Sequence, residues 1–297
     1  MKTRILYTDG KGQFVETEYY KPDCGDNEIT VRAVMTGVCR SDIDMMLGKF
    51  GPLPLHMSGH EGIGQVVVVG EHLKTQVKVG DYVATRGEPA YADHYNVREN
   101  EFVIIPSPEP KYIVEPIACG INLIRQAQSE IEKRKGDVLI LGSGFLAWVA
   151  YNTIKLEKFN NNIDVVGRSN KDLWGDVLLD TIPNKKYDIV IDLSSSDVIF
   201  TQDILAEQAL IIFGAQKEVT TDFSNLLWKA CTMIFPSPRN PEFIWVMKRA
   251  VYCIESGQLD VDKFWTRSYN RNTEWQQAFA DGKDRPNGYS RGYIKWD

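Results

Sequence analysis

The sequence predicts an α/β protein of two domains, a turn-rich β-barrel followed by a doubly wound parallel sheet. Short strand-like runs spaced by Gly and Pro fill the first third of the chain. Strands alternating with helical or irregular segments fill most of the remainder. A length of 297 residues accommodates two ordinary domains.

Taken in order, residues 1–4 lead into a strand-like segment rather than a signal peptide. Residues 28–35 alternate in polarity and end at Thr36-Gly37. Residues 64–70 form a β-branched strand between glycines, 79–84 give a turn and a strand, and 101–105 end at Pro106. The character changes after Pro116. Residues 118–133 have helical spacing, with Ile121, Ile124 and Ile131 among the apolar positions. Strands then fall at 138–141, 163–166, 188–193, 209–213 and 232–235. A helical pattern over 242–255 stops at Ser256-Gly257, and 292–296 reads as a closing strand. These boundaries give a first domain of 1–120 completed by 257–297, and a nucleotide-type domain of 121–256.

Composition excludes several classes. The chain is 43% hydrophobic and 25% charged, as in water-soluble globular proteins. A net charge of −6, with scattered basic residues, argues against nucleic acid as a partner. No stretch approaches the roughly 18 apolar residues of a membrane span, so a cytoplasmic protein without membrane contact is expected. Cys24, Cys39, Cys119, Cys231 and Cys253 are odd in number and scattered, which does not read as a disulfide framework.

Two of those cysteines lie in runs rich in metal-ligand chemistry. These are Gly37-Val38-Cys39-Arg40-Ser41-Asp42, Gly59-His60-Glu61-Gly62 and Glu115-Pro116-Ile117-Ala118-Cys119. A lone cysteine is usually core and a lone His-Glu pair is usually surface. Together, a thiolate, an imidazole and carboxylates form a zinc donor set. Downstream, Val138-Leu139-Ile140-Leu141 runs into Gly142-Ser143-Gly144-Phe145-Leu146-Ala147. A strand followed by G-x-G-x-x-A and an apolar helix start is a pyrophosphate cradle, its glycines permitting a tight turn and close backbone approach. The second strand ends at Gly167-Arg168-Ser169-Asn170, without the acidic residue that usually accepts from a ribose hydroxyl. Arg168 and Ser169 supply the donors that a 2′-phosphate needs, which favours NADP, with NAD as the alternative. The connection from Asn170 to Gly175 is too short for a full helix.

These runs, and the spacing from Cys39 to His60, resemble the medium-chain dehydrogenase/reductase superfamily, in its zinc-dependent alcohol dehydrogenase branch. The resemblance implies a GroES-like catalytic domain joined to a Rossmann domain. It implies an oxidoreductase moving hydride between NADP(H) and a small-molecule alcohol or carbonyl, working as a homodimer or homotetramer. By resemblance Cys39 and His60 are zinc ligands, and Glu61 is a carboxylate that can enter the coordination sphere. The third ligand is Cys119 as in alcohol dehydrogenases, or Glu115 as in polyol dehydrogenases; the softer thiolate tips the expectation to Cys119. Ser41 matches the hydroxyl of the proton relay, Arg40 an arginine on the cofactor pyrophosphate, and Asp42 a carboxylate orienting the ligands. Asp44 stands where many relatives carry a relay histidine, and it is read as a surface carboxylate that ends the relay.

Relatives with a second, structural zinc carry a four-cysteine lobe after the G-D-x-V run. Here Gly80-Asp81-Tyr82-Val83 passes to Gly87-Glu88-Pro89-Ala90-Tyr91-Ala92-Asp93 without a cysteine, so one zinc per chain is expected. Three readings compete: a polyol or sugar-alcohol dehydrogenase, a non-catalytic nucleotide-binding member, and a zinc-free quinone-reductase type. The last two would need neither Cys39 nor His60.

Overall fold

The computed structural model describes every residue except 52, 135, 160, 161, 216, 217 and 297. Its contacts divide the chain into a unit of Met1–Pro116 with Ile244–Asp297, and a unit of Ile117–Phe243. Nearly all of the helix Phe243–Glu255 therefore lies with the first unit, whereas the sequence boundaries grouped it with the second.

In the first unit a hairpin, Lys2–Tyr7 with Val15–Tyr20, stands apart from a seven-stranded sheet. The organising strand of that sheet is Glu28–Val38. Its first half pairs antiparallel with His94–Arg98, residues Ile29 to Thr36 with Gly62–Val69, and its last residues with the closing strand Arg291–Lys295. Alternating apolar residues put Ile29, Val31 and Ala33 into one core with Ile5, Tyr91, Tyr95, Phe102 and Ile294, all nearly free of solvent.

The second unit is a six-stranded, all-parallel sheet. Its order is Leu178–Leu179, Ile163–Val166, Val138–Leu141, Tyr187–Asp192, Leu205–Phe213, Thr232–Ile234. In sequence terms this is 3-2-1-4-5-6, the doubly wound arrangement. Successive residues serve opposite faces. Val138, Ile140, Ile189, Ile191, Leu210 and Ile212 enter one core. Leu139, Leu141, Val190, Ile211 and Phe213 enter the other. A parallel sheet covered on both faces needs such continuous apolar runs. The connection after the second strand is short, as expected: a single helical turn, Lys171–Trp174, stands where a full helix is usual. No described helix is long and apolar enough to cross a membrane.

Candidate active site

Strand register assembles the site of the first unit. Thr36 lies opposite Gly62 and Val38 opposite Gly292. Cys39 follows the first strand, Glu61 precedes the second, and Arg291 opens the third, so three strand ends converge. Gly37 N–H donates to Glu61 O at 2.9 Å. A Cβ at Gly37 would overlap the Glu61 carboxylate, and one at Gly62 would overlap the Tyr95 and Thr85 hydroxyls. These two glycines are required by close approach.

Cys39 is also the N-cap of helix Arg40–Met46. The Asp42 side chain reaches back to accept from Cys39 N–H at 2.8 Å. The same oxygen accepts from the Tyr91 hydroxyl at 2.8 Å, and that hydroxyl also lies 3.0 Å from Gly37 O. The other Asp42 oxygen is 3.6 Å from His60 Nδ1. His60 Nε2 points the opposite way, 3.4 Å from Ser41 Oγ. One buried carboxylate thus fixes the turn that carries Cys39 and faces the His60 ring, the arrangement by which outer carboxylates orient metal-binding histidines.

Cys39 Sγ, a His60 ring nitrogen and a Glu61 oxygen lie within 4.8 Å of one another. Glu61 is fully buried. Its Oε2 pairs with Arg291, and Oε1 has no hydrogen-bond partner among the described residues. A buried carboxylate oxygen left unpaired is costly unless a cation satisfies it. The surrounding charges agree. Burial, reinforced by Glu61, pushes the Cys39 thiol up. Burial also pushes Asp42 up. Burial alone would lower the His60 imidazole, yet Asp42, with Cys39 and Glu115, holds it well above the ordinary histidine value. Buried acids outnumber Arg291, and a soft-plus-hard donor set of this kind fits zinc.

Glu115 stands outside the 4.8 Å group, but it is buried and close enough for its charge to act on His60. It opens helix Glu115–Lys133, and Cys119 follows four residues later on the same helix face. Glu115 falls in the first unit and Cys119 in the second. Asp44 departs from expectation. It is buried rather than at the surface, and it is paired with Lys49 Nζ at 2.8 Å and Arg40 Nε at 3.3 Å. The helix turn puts Asp44 one turn from Arg40 and directs it inward, where these two cations face its carboxylate. Of the other histidines, His56 is exposed, His72 lies 3.5 Å from Asp26, and burial holds His94 below the ordinary value.

In the second unit, Gly142 has φ 116, outside the range of other residues, and its N–H donates to Val166 O at 2.8 Å. Gly144 caps the helix Phe145–Leu156 and has open space where a Cβ would stand. Phe145 is buried at the first helical position, and Leu146 follows it. Ser143, between the glycines, is the anchor. Its carbonyl accepts from Asn170 Nδ2 at 2.9 Å and Trp174 Nε1 at 3.0 Å, and its hydroxyl accepts from Ser169 N–H at 3.1 Å. The abbreviated connection therefore braces the glycine turn. A Cβ at Gly167 would overlap the Ser143 side chain and come 2.9 Å from its backbone nitrogen. Packing thus demands glycine there, and the missing acid at 167 carries less about cofactor choice than the exposed Arg168 that follows.

Tyr91 and Arg291 are the contributors that motif reading misses. Tyr91 lies in the run noted only for its lack of cysteine, and Arg291 is distant in sequence from Glu61 and just outside the closing strand read at 292–296.

Comparison with known proteins fits this geometry. Residues 25–105 match the family model of the alcohol dehydrogenase GroES-like domain. D-arabitol-phosphate dehydrogenase of Enterococcus avium is 24% identical over 94% of this chain and 93% of its own length. The chain is similar to members of the medium-chain dehydrogenase superfamily. Among solved structures, 2R,3R-butanediol dehydrogenase from Bacillus subtilis superposes with a TM-score of 0.77 at 15% identity, covering 99% of each chain. A cobalt- and zinc-bound alcohol dehydrogenase from Pyrobaculum aerophilum gives 0.78 at 16% identity, covering 99% of this chain and 100% of that one. The fold is shared with both. The relatives and structures named here are alcohol or polyol dehydrogenases.

Proposed function

We propose that this chain is a zinc-dependent, NADP-preferring dehydrogenase of the polyol type. The observation that carries the zinc reading is the packed group Cys39, His60 and Glu61, with one Glu61 oxygen tied to Arg291 and the other unpaired. Cys39 and His60 would hold the metal. Glu115 is favoured over Cys119 as the third ligand, because Glu115 is buried and its charge reaches His60. When bound, zinc supplies Lewis-acid stabilisation of negative charge on the substrate oxygen.

The chain's own residues do the rest. The Ser41 hydroxyl stands beside the His60 ring and would take the proton of the substrate hydroxyl while releasing its own outward to water. Asp42 keeps the imidazole aimed by facing Nδ1. Asp44, paired with Arg40 and Lys49, would end the proton relay in this reading. The Gly142–Gly144 turn would cradle the pyrophosphate, while Arg168 and Ser169 take the 2′-phosphate.

The test is a panel of alcohols, polyols and their carbonyl forms, followed by cofactor absorbance at equal NADP(H) and NAD(H). Oxidation of a polyol with higher kcat/KM for NADP is expected. Turnover with NAD alone would refute the cofactor assignment, and no turnover with any member would refute the catalytic one.

A further inference from the structure

The runs that carry Cys39 and His60 are separate in sequence, and one residue that the mechanism leaves without a role touches both. Tyr91 is fully buried. Its hydroxyl donates to Asp42 Oδ2 at 2.8 Å and lies 3.0 Å from Gly37 O, so it meets the chain on both sides of Cys39. Its backbone and ring serve the other run. Tyr91 N–H donates to Ser58 O at 3.1 Å, and Ala90 N–H donates to Gly59 O at 3.0 Å, which pins the two residues before His60. Gly59 has left-handed backbone (φ 79), and a Cβ there would come 2.7 Å from the Tyr91 ring and 2.9 Å from its nitrogen.

Aromatic neighbours from distant parts of the chain hold that ring. Phe14 and Phe279 meet it edge-on, with centroids 5.8 and 5.3 Å away, and Trp296 lies nearly parallel to it at 6.4 Å. The backbone is tied independently: Leu6 N–H donates to Tyr91 O at 3.1 Å, and Ser58 Oγ donates to Leu6 O at 2.6 Å. Packing therefore delivers the hydroxyl to one place. There it shares Asp42 Oδ2 with Cys39 N–H, while the other Asp42 oxygen faces His60 Nδ1 at 3.6 Å. Without the hydroxyl, that carboxylate keeps a single donor on Oδ2 and loses the contact that fixes its rotation toward His60.

We propose that Tyr91 is a positioning residue that fixes the separation and aim of Cys39 and His60, acting through Asp42, so that the pair is set before a metal arrives. This rests on the reading that Cys39 and His60 hold zinc.

The test strips the full chain of metal and titrates it with zinc against a chelator, then with cobalt(II), whose visible spectrum reports ligand geometry. Tyr91→Phe keeps the ring and removes only the hydroxyl. It should bind zinc roughly 10–100-fold more weakly, the usual cost of losing a group that orients a metal ligand, and its cobalt spectrum should shift. Tyr269→Phe is the control: it belongs to the same core, but its hydroxyl donates to Asp281 Oδ2 at 2.6 Å. That variant should lose thermal stability while its zinc affinity and cobalt spectrum stay those of wild type. Asp42→Ala should also weaken zinc, and adding Tyr91→Phe to it should cost little more, because the hydroxyl acts through that carboxylate. Unchanged zinc affinity and spectrum in Tyr91→Phe would overturn the proposal, as would an equal loss in Tyr269→Phe or additive losses in the double variant. A wild-type chain that takes up neither ion would refute the zinc reading itself, and the proposal with it.

Discussion

The two units hold their functional residues by different means. In the first, buried charges distant in sequence hold one another: Glu61 with Arg291, and Asp42 with Tyr91 and the turn at Cys39. In the second, Ser143 is held by neighbours that all follow one strand, Ser169, Asn170 and Trp174. A site made of buried charge fails when one partner is removed, since the other is left uncompensated. A site made of backbone tolerates side-chain loss, and fails when an added Cβ denies close approach.

The largest effect expected from a single substitution that leaves the architecture intact is in the first unit. Ser41→Ala should slow turnover by roughly 10²–10⁴-fold, the usual contribution of a positioned proton acceptor. Zinc content and dinucleotide affinity should stay unchanged, because among the described residues the Ser41 hydroxyl bonds the His60 ring alone. Metal loss in that variant, seen by atomic absorption, would move Ser41 from proton transfer to site integrity.

A second experiment bears on how the charges divide. Glu115→Ala should lose zinc more readily than Cys119→Ala under mild chelation, if the buried carboxylate near His60 is the ligand. The opposite ranking would assign the thiolate. Equal and full retention in both would leave Glu61 as the third protein donor.

The smallest effect belongs to the second unit. Arg168→Ala should lower the kcat/KM ratio of NADP over NAD by about tenfold, the loss of one charge-assisted bond. Gly167 is left alone in this test because a side chain there would strike Ser143 and disturb the turn for either cofactor. An unchanged ratio would show that Arg168 faces solvent with NADP bound.

Much of this was legible in the sequence. The β-branched run at 64–70, the apolar strands at 138–141 and 209–213 and the closing strand all fall where their patterns put them, because burial on one or two faces dictates residue type. The short connection after Asn170 was equally plain from length alone. Cys39, Ser41, His60 and Glu61 were legible because chemistry and turn geometry restrict the same few positions. Tyr91 and Arg291 were not, since their partners are fixed by strand register rather than spacing. Asp44 was misread as a surface group because a helix periodicity too short to show its inward face gave no warning. Gly167 was read as a cofactor signal when tertiary packing already required it.

The central claim is that the first unit builds one zinc site on Cys39 and His60. Metal analysis of the purified chain tests it most directly, alongside Cys39→Ser and His60→Ala. The account predicts about one zinc per chain in the wild type. Each variant should lose that zinc and its turnover while still binding dinucleotide through the second unit. Two tightly held zinc ions per chain, or full zinc retention in both variants, would contradict it.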